Sequence, residues 1–370
     1  MDLLVGLRTL FSLKDDCVIP KAEKSFGAMV IGAGNVAGKY LDYFSSNGNH
    51  SLVVIAESND KTGDAAKNVY HPKLLLSDYK EGLWREDVDI VVVCTPHYLH
   101  HKMMIDALEA GKHVFCEKPI AISVQEADEM INAASEYDRE LFVILNMRFW
   151  PQHIKLKELI ADDVIGRVFM ARGSYLGYEF NRLADPNDWK GNLQKAGGGV
   201  LVDGGYHLVD LVNSCLGKAC YVQAAGGQYL INTPNKGEDN ISLIIEYANG
   251  AVANLQISFT ACNYGCHKEP TLIMEQSFLG NNGTLFCHYG WDTVEICKGL
   301  ELVQPNARET FNIDDTAEYD QCEHFIRCLQ TGERPIVTCL DARNATAVVE
   351  AAYESLRTGQ KTPVAWRYDI

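Results

Sequence analysis

Ala28-Met29-Val30-Ile31-Gly32-Ala33-Gly34-Asn35-Val36-Ala37 is an apolar run that breaks on a glycine turn and opens into a helical pattern. A strand running through Gly32-x-Gly34-x-x-Ala37 into a helix is the pattern of a dinucleotide-binding turn. Gly32 permits the tight turn, Gly34 lets backbone approach a pyrophosphate, and Ala37 supplies the small third residue. The helix start adds free N–H groups and the positive end of a dipole. The next apolar run, Leu52–Ala56, ends at Glu57, where a carboxylate can accept hydrogen bonds from ribose hydroxyls. The same carboxylate repels a 2′-phosphate, and Ser58-Asn59 follow it where an arginine would welcome one. NAD is therefore expected over NADP, although Lys61 lies close by and pulls the other way.

Outward from this turn, apolar runs alternate with helical periodicity. Ala28–Ile31, Leu52–Ala56, Ile90–Cys94, His113–Cys116 and Leu141–Leu145 read as buried parallel strands, and Val36–Ser45, His100–Ala110 and Val124–Ser135 as helices. That alternation predicts a doubly wound sheet over residues 26–149. After Trp150-Pro151 the texture changes. His153–Ile160 and Val202–Cys215 read as helices, and Gly166–Tyr178 as a long strand. Ile241–Tyr247 and Ala251–Phe259 flank Ala248-Asn249-Gly250, a hairpin signal. Thr271–Leu279, Thr284–His288 and Thr293–Cys297 continue a meander. The expected fold class is α/β: an N-terminal Rossmann domain, then an α+β domain over 150–315 with a large, mostly antiparallel open sheet. Thr316–Leu329 and Ala342–Leu356 read as helices within a closing segment, 316–370. Residues 1–25 read as an amphipathic arm, with Leu3, Leu4, Leu7, Leu10 and Phe11 at helical spacing.

Composition narrows the function. The chain has 370 residues, 47% hydrophobic and 22% charged, enough for two globular domains. A net charge of −16 without clustered Lys or Arg excludes nucleic acid as a partner. The arm has Asp2 where a signal peptide needs a basic start, and it is too short to span a bilayer, so no membrane association is expected. The 12 cysteines, scattered through strands and helices, suit reduced thiols and a cytoplasmic location. Cys262 to His267 and the trio His97, His100 and His101 each lack a complete ligand set, so no metal is expected.

Glu117-Lys118-Pro119 ends a strand-like run, a poor place for a lysine unless its ammonium is used. Asp203 and His207, four apart, share one helix face after the glycines Gly197 to Gly199. With Thr95-Pro96 and His100, Ala110-Gly111-Lys112-His113-Val114, Asn146-Met147-Arg148-Phe149 and the run from Ala196 to His207, these residues resemble the Gfo/Idh/MocA oxidoreductase family, named for glucose–fructose oxidoreductase and inositol dehydrogenase. The resemblance runs from about Phe26 to Thr358. It implies a Rossmann domain plus an open-sheet domain, and a homo-oligomer formed through that sheet. Cofactor contacts are implied at Asn35, Val36, Thr95, Pro96, His97, His100, Glu117 and Lys118, beside Gly32, Gly34 and Glu57. His207 is implied as general base, Lys118 as the group that polarises the substrate hydroxyl, and Asp203 as their positioning partner.

The substrate class implied is a carbohydrate or polyol, with a lean towards C3 of a glucoside. Arg148, Tyr178, Asn181, Asp188, Trp189 and Tyr206 are expected in the substrate pocket. His97 departs from the Asn common after Thr-Pro in the family, and the N-terminal arm is additional to it. Two other functions share these residues. One is a redox-neutral glycosidase or lyase that uses NAD transiently; the other is a non-catalytic sensor, against which Lys118, Asp203 and His207 all argue.

Overall fold

The computed structural model describes residues 24–178, 185, 188–230, 237–261, 272–289, 293–298, 308–312 and 320–368. Its first sheet has six parallel strands: β1 (Gly27–Ile31), β2 (Ser51–Ala56), β3 (Leu74–Leu76), β4 (Ile90–Val93), β5 (His113–Glu117) and β6 (Leu141–Ile144), in the order β3-β2-β1-β4-β5-β6. Every residue of β1 and β4 is buried, as expected of strands covered on both faces. Each such Val or Ile contributes about 1.5–3 kcal/mol by leaving water. The covering helices include α1 (Gly38–Ser46), α2 (Asp60–Tyr70), α3 (Lys80–Leu83), α4 (His100–Glu109) and α5 (Val124–Glu136). The sequence reading did not name β3, α2 or α3; they are the short or polar elements of this half. Strand order reverses at the β1/β4 boundary, and the crevice beyond their C-terminal ends is where such sheets bind ligands.

The second sheet is built around β7 (Val168–Leu176). It includes β8 (Ala219–Gly227), β9 (Asn240–Tyr247), β10 (Val252–Ser258), β11 (Ile273–Gly280), β12 (Gly283–Tyr289), β13 (Thr293–Lys298), β14 (Arg308–Asn312) and β15 (Thr362–Pro363). Nine strands run in the order β14-β13-β12-β11-β7-β10-β9-β8-β15. All neighbours are antiparallel except β7 and β10, which pair in parallel from Met170↔Val252 to Leu176↔Ser258. The β9–β10 hairpin turns at Asn249-Gly250, with Gly250 at φ +85°.

Helix α6 (Pro151–Ala161) begins with Pro151, which lacks the N–H that a first turn leaves unused. A short α7 (Leu193–Ala196) precedes the glycines. The single helix expected over Val202–Cys215 is two pieces: a π-helical turn, Leu201–Gly205, feeding α8 (Tyr206–Leu216). π-Helical turns are uncommon and cluster at functional sites. The chain closes with α9 (Gln321–Thr331), capped by Asp320, and α10 (Cys339–Thr358), which starts with a Thr338/Asp341 capping box. The start of the expected Thr316 helix, the arm's residues 1–23, Asn181 and the Cys262 to His267 cluster lie outside the described residues. Helix α10 joins the two halves: Arg343 donates to both carboxylate oxygens of Asp128 in α5, at 3.0 and 2.9 Å, while Ser355 accepts from Ala224 N in β8. Among the described residues no helix is long and apolar enough to cross a membrane, and every cysteine whose side chain is described is a free thiol.

Candidate active site

Beyond the ends of β1, β4 and β5 lies a cleft of about 710 Å³. Gly32 turns the chain at φ +86°, and a Cβ there would come within 2.8 Å of the Cys94 carbonyl. At Gly34 the opposite holds: no atom lies within 4 Å of a Cβ position, and the residue lines the cleft. No side chain caps the Asn35–Ala37 turn that follows, so its leading N–H groups are open to an anion. Glu57 Oε2 accepts from Ala33 N at 2.9 Å and Oε1 from Asn59 N at 2.8 Å. One donor per oxygen leaves further lone pairs towards the cleft, where ribose hydroxyls can donate. Gly32, Gly34, Asn35, Val36, Glu57, Thr95, Pro96, His97, Glu117 and Lys118 all contribute to the lining.

At the other end, Lys118 Nζ donates to Asp203 Oδ1 and to the Asp203 carbonyl, both at 3.0 Å. Lys190 Nζ takes the second carboxylate oxygen, Oδ2, at 2.5 Å. One carboxylate thus sits between two ammonium groups, delivered by the loop after β5, the turn Trp189–Gly191 and the π-helical turn. Burial alone would push the Asp203 carboxyl up, but Lys118 and Lys190 outweigh it and hold it well below the usual carboxylate range. His207 follows one turn on, 7% exposed and outside the cleft lining, and burial, with Lys118 next, holds its imidazole well below the usual 6.5. It is neutral at pH 7, with a lone pair available for a proton.

The oxidoreductase family's NAD-binding Rossmann model matches residues 26–145, and its C-terminal α/β model matches residues 157–365. The chain belongs to the Gfo/Idh/MocA oxidoreductase family. Curated relatives include a D-glucoside 3-dehydrogenase of Escherichia coli, 29% identical over 90% of this chain and 95% of its own. A levoglucosan dehydrogenase of Pseudarthrobacter phenanthrenivorans is 30% identical over 56% of this chain, a match spanning 59% of that relative's length. Among solved structures, a levoglucosan dehydrogenase in complex with NADH superposes with a TM-score of 0.83 at 22% identity, covering 93% of this chain and 100% of that one. NAD is the cofactor of the family, and the Gly32 turn, open Gly34 position and Glu57 carboxylate fit it.

In this oxidoreductase His100 serves as scaffold: it is fully buried and absent from the lining. Its Nδ1 lies 2.8 Å from the Pro119 carbonyl and its Nε2 2.9 Å from that of Thr95, tying together the loops that carry Thr95 and Lys118. His97 likewise bonds the Ala196 carbonyl through Nδ1 at 2.9 Å and meets the Trp189 ring edge-on at 4.6 Å. Burial, His100 and Lys118 lower it to about 3, so it stays neutral. Glu117 accepts from the Tyr40 hydroxyl at 2.5 Å and pairs with Lys39 at 2.9 Å.

The expected substrate residues separate. Trp189 lines the cleft. Asp188 accepts from Lys190 N as the cap of the Trp189 turn, and Tyr178 bridges Thr260 on the large sheet; neither lines the cleft. Two expectations are corrected. Arg148 is 4% exposed and locked onto Asp210, Nε to Oδ2 at 2.7 Å and Nη2 to Oδ1 at 2.5 Å, because a buried guanidinium needs an anionic partner. Tyr206 is fully buried, its hydroxyl donating to the Ala342 carbonyl at 2.5 Å. The sequence reading missed Lys190, whose only signal was its place beside Trp189 ahead of the glycine run. It also missed Glu238, which accepts from Gly199 N and Leu201 N and so holds the approach to Asp203.

Proposed function

We propose that the protein oxidises a secondary ring hydroxyl of a sugar, glycoside or cyclitol to a ketone, with C3 of a glucoside the favoured position. The observation that carries this reading is the Asp203 carboxylate held between Lys118 and Lys190 at the edge of the cofactor cleft, with His207 one turn beyond. Bound NAD supplies the acceptor for the hydride that leaves the carbinol carbon. Lys118 donates a hydrogen bond to the reacting oxygen and stabilises the negative charge that develops there. His207, neutral at pH 7, takes the hydroxyl proton as general base. Asp203 orients Lys118 and Lys190, and Trp189 offers a flat apolar wall for a sugar ring.

The D-glucoside 3-dehydrogenase relative supports the choice of carbon. The free thiols support a reducing, cytoplasmic setting, and Phe169, Tyr221 and Ile244, each 43–47% exposed on strands of the large sheet, support self-association through it. A screen of glycosides, free sugars and inositols with NAD tests the reading by following NADH absorbance and product mass together. NADH formation matched by loss of two hydrogen atoms from the sugar is expected. Glycoside cleavage without net NADH would replace the dehydrogenase reading with the redox-neutral one.

A further inference from the structure

A second cavity, of about 290 Å³, opens where α6, α8 and the segment leading into α10 meet. Its lining includes Arg148, Lys157, Asn213, Arg334 and Asp341, none of which lines the cofactor cleft. Two of these charged groups are already engaged. Arg148 is neutralised by Asp210, and Asp341 Oδ2 already accepts from Thr338 N and Oγ1 in the capping box. Lys157 has no hydrogen-bonded or ion-paired acceptor among the described residues, although it sits half-buried beside Arg148. Burial, then Arg148, lowers its ammonium below the usual 10.5. Asn213, on the same wall and 7% exposed, gives its Oδ1 to the Tyr247 hydroxyl and keeps a side-chain N–H group with no acceptor. A half-buried ammonium beside a locked guanidinium is costly in this arrangement. An anion in the cavity would relieve that cost.

We propose that this cavity binds a small oxyanion, a phosphate or carboxylate group, with Lys157 as its principal cationic partner beside Arg148 and Arg334. The volume admits an inorganic phosphate, a short dicarboxylate or the phosphate end of a sugar ester with a few waters, and it is too small for a dinucleotide. Asp210 and Asn213 lie on α8, the helix that begins with Tyr206-His207, so an occupant rests against the element that presents the proposed base. The site is independent of the proposed reaction: it stands on a separate cavity and a separate set of charges.

The test is a lysine footprint with NAD saturating, so that the pyrophosphate site is filled. Acetylation of Lys157 is followed by peptide mass spectrometry in inorganic phosphate, malonate, glucose 6-phosphate, or chloride at matched ionic strength. An oxyanion at ten times its Kd should slow Lys157 acetylation about tenfold, leave Lys155 unchanged and raise Tm in proportion to the logarithm of its concentration above Kd. Lys157→Met should abolish the Tm response, and Lys155→Met should keep it. Protection by phosphate and its ester alone assigns a phosphate site; protection by malonate assigns a carboxylate site. Equal acetylation in all four salts, or a Tm response that survives Lys157→Met, would overturn the proposal. If Lys157→Met does not fold, the footprint on the unaltered protein still decides.

Discussion

Glu238→Ala should loosen the segment that carries Asp203 while leaving every proposed reacting group in place. Glu238 is 6% exposed; its Oε1 accepts from Leu201 N at 2.9 Å and from the Tyr353 hydroxyl at 3.1 Å, and its Oε2 from Gly199 N at 3.1 Å. Alanine strands the Leu201 amide outright, whereas Gly199 N keeps the Tyr353 oxygen at 3.1 Å. The stranded Leu201 amide costs about 1–3 kcal/mol, and the loss of the bonds from Gly199 N and the Tyr353 hydroxyl to the carboxylate, with a small void, brings the total to about 3–5 kcal/mol. Glu238→Gln keeps the volume but points an amide N–H₂ at one of the donors, so about 2 kcal/mol is expected. Urea unfolding measures both variants, and NADH titration with steady-state kinetics separates binding from turnover. The cofactor turn at Gly32 shares no bond with Glu238, so Kd for NADH should hold while kcat falls. Stability within about 0.5 kcal/mol of the unaltered protein, with kcat unchanged, would refute the idea that Glu238 holds this segment.

Lys190→Met leaves Asp203 with one ammonium, so its carboxyl should rise, and kcat/KM should fall by about tenfold or more with a displaced acid limb in its pH profile. An unchanged profile would show that the second lysine is incidental. Glu57→Ala should weaken NAD binding by about 1.5–3 kcal/mol, through the lost charge-assisted bonds to ribose, and narrow the preference over NADP; titration of both dinucleotides measures it. The buried imidazoles of His97, His100, His153 and His207 all lie below the ordinary 6.5. As pH falls below about 6.5 the unfolded chain takes up protons that the folded protein refuses, so each histidine removes up to about 1.4 kcal/mol of stability per pH unit until its folded value is reached. Urea midpoints should therefore drop steeply between about pH 7 and pH 5, and flat midpoints would contradict the burial assigned to these rings.

The parts legible in the sequence were those set by local pattern. The Gly32 turn needs only a strand, two glycines and a small residue in succession, and the β9–β10 hairpin needs only Asn249-Gly250 between apolar runs. Roles that depend on a distant partner were not legible. Arg148 looked like a pocket residue because its partner, Asp210, stands 62 positions away. Tyr206, beside His207 in sequence, turns into the core because Ala342 offers its hydroxyl an acceptor there. Lys190 sits in an irregular turn whose direction is fixed only once Asp188 caps it and Asp203 receives its ammonium. His100 carried a cofactor expectation by its position near Thr95, yet its ring is fully buried between the Pro119 and Thr95 carbonyls, and its one N–H is donated there. The π-helical turn has no periodic signature distinct from the helix it feeds, and it merged with α8 in the sequence reading.

The most direct test of the account measures NAD binding and turnover on one preparation of His207→Ala. The account predicts a Kd for NAD within about twofold of the unaltered protein and a fall in kcat of about 10²–10⁴, the range a positioned general base supplies. A kcat within about tenfold, with NAD binding intact, would contradict His207 as the base and move that role to another group around Asp203.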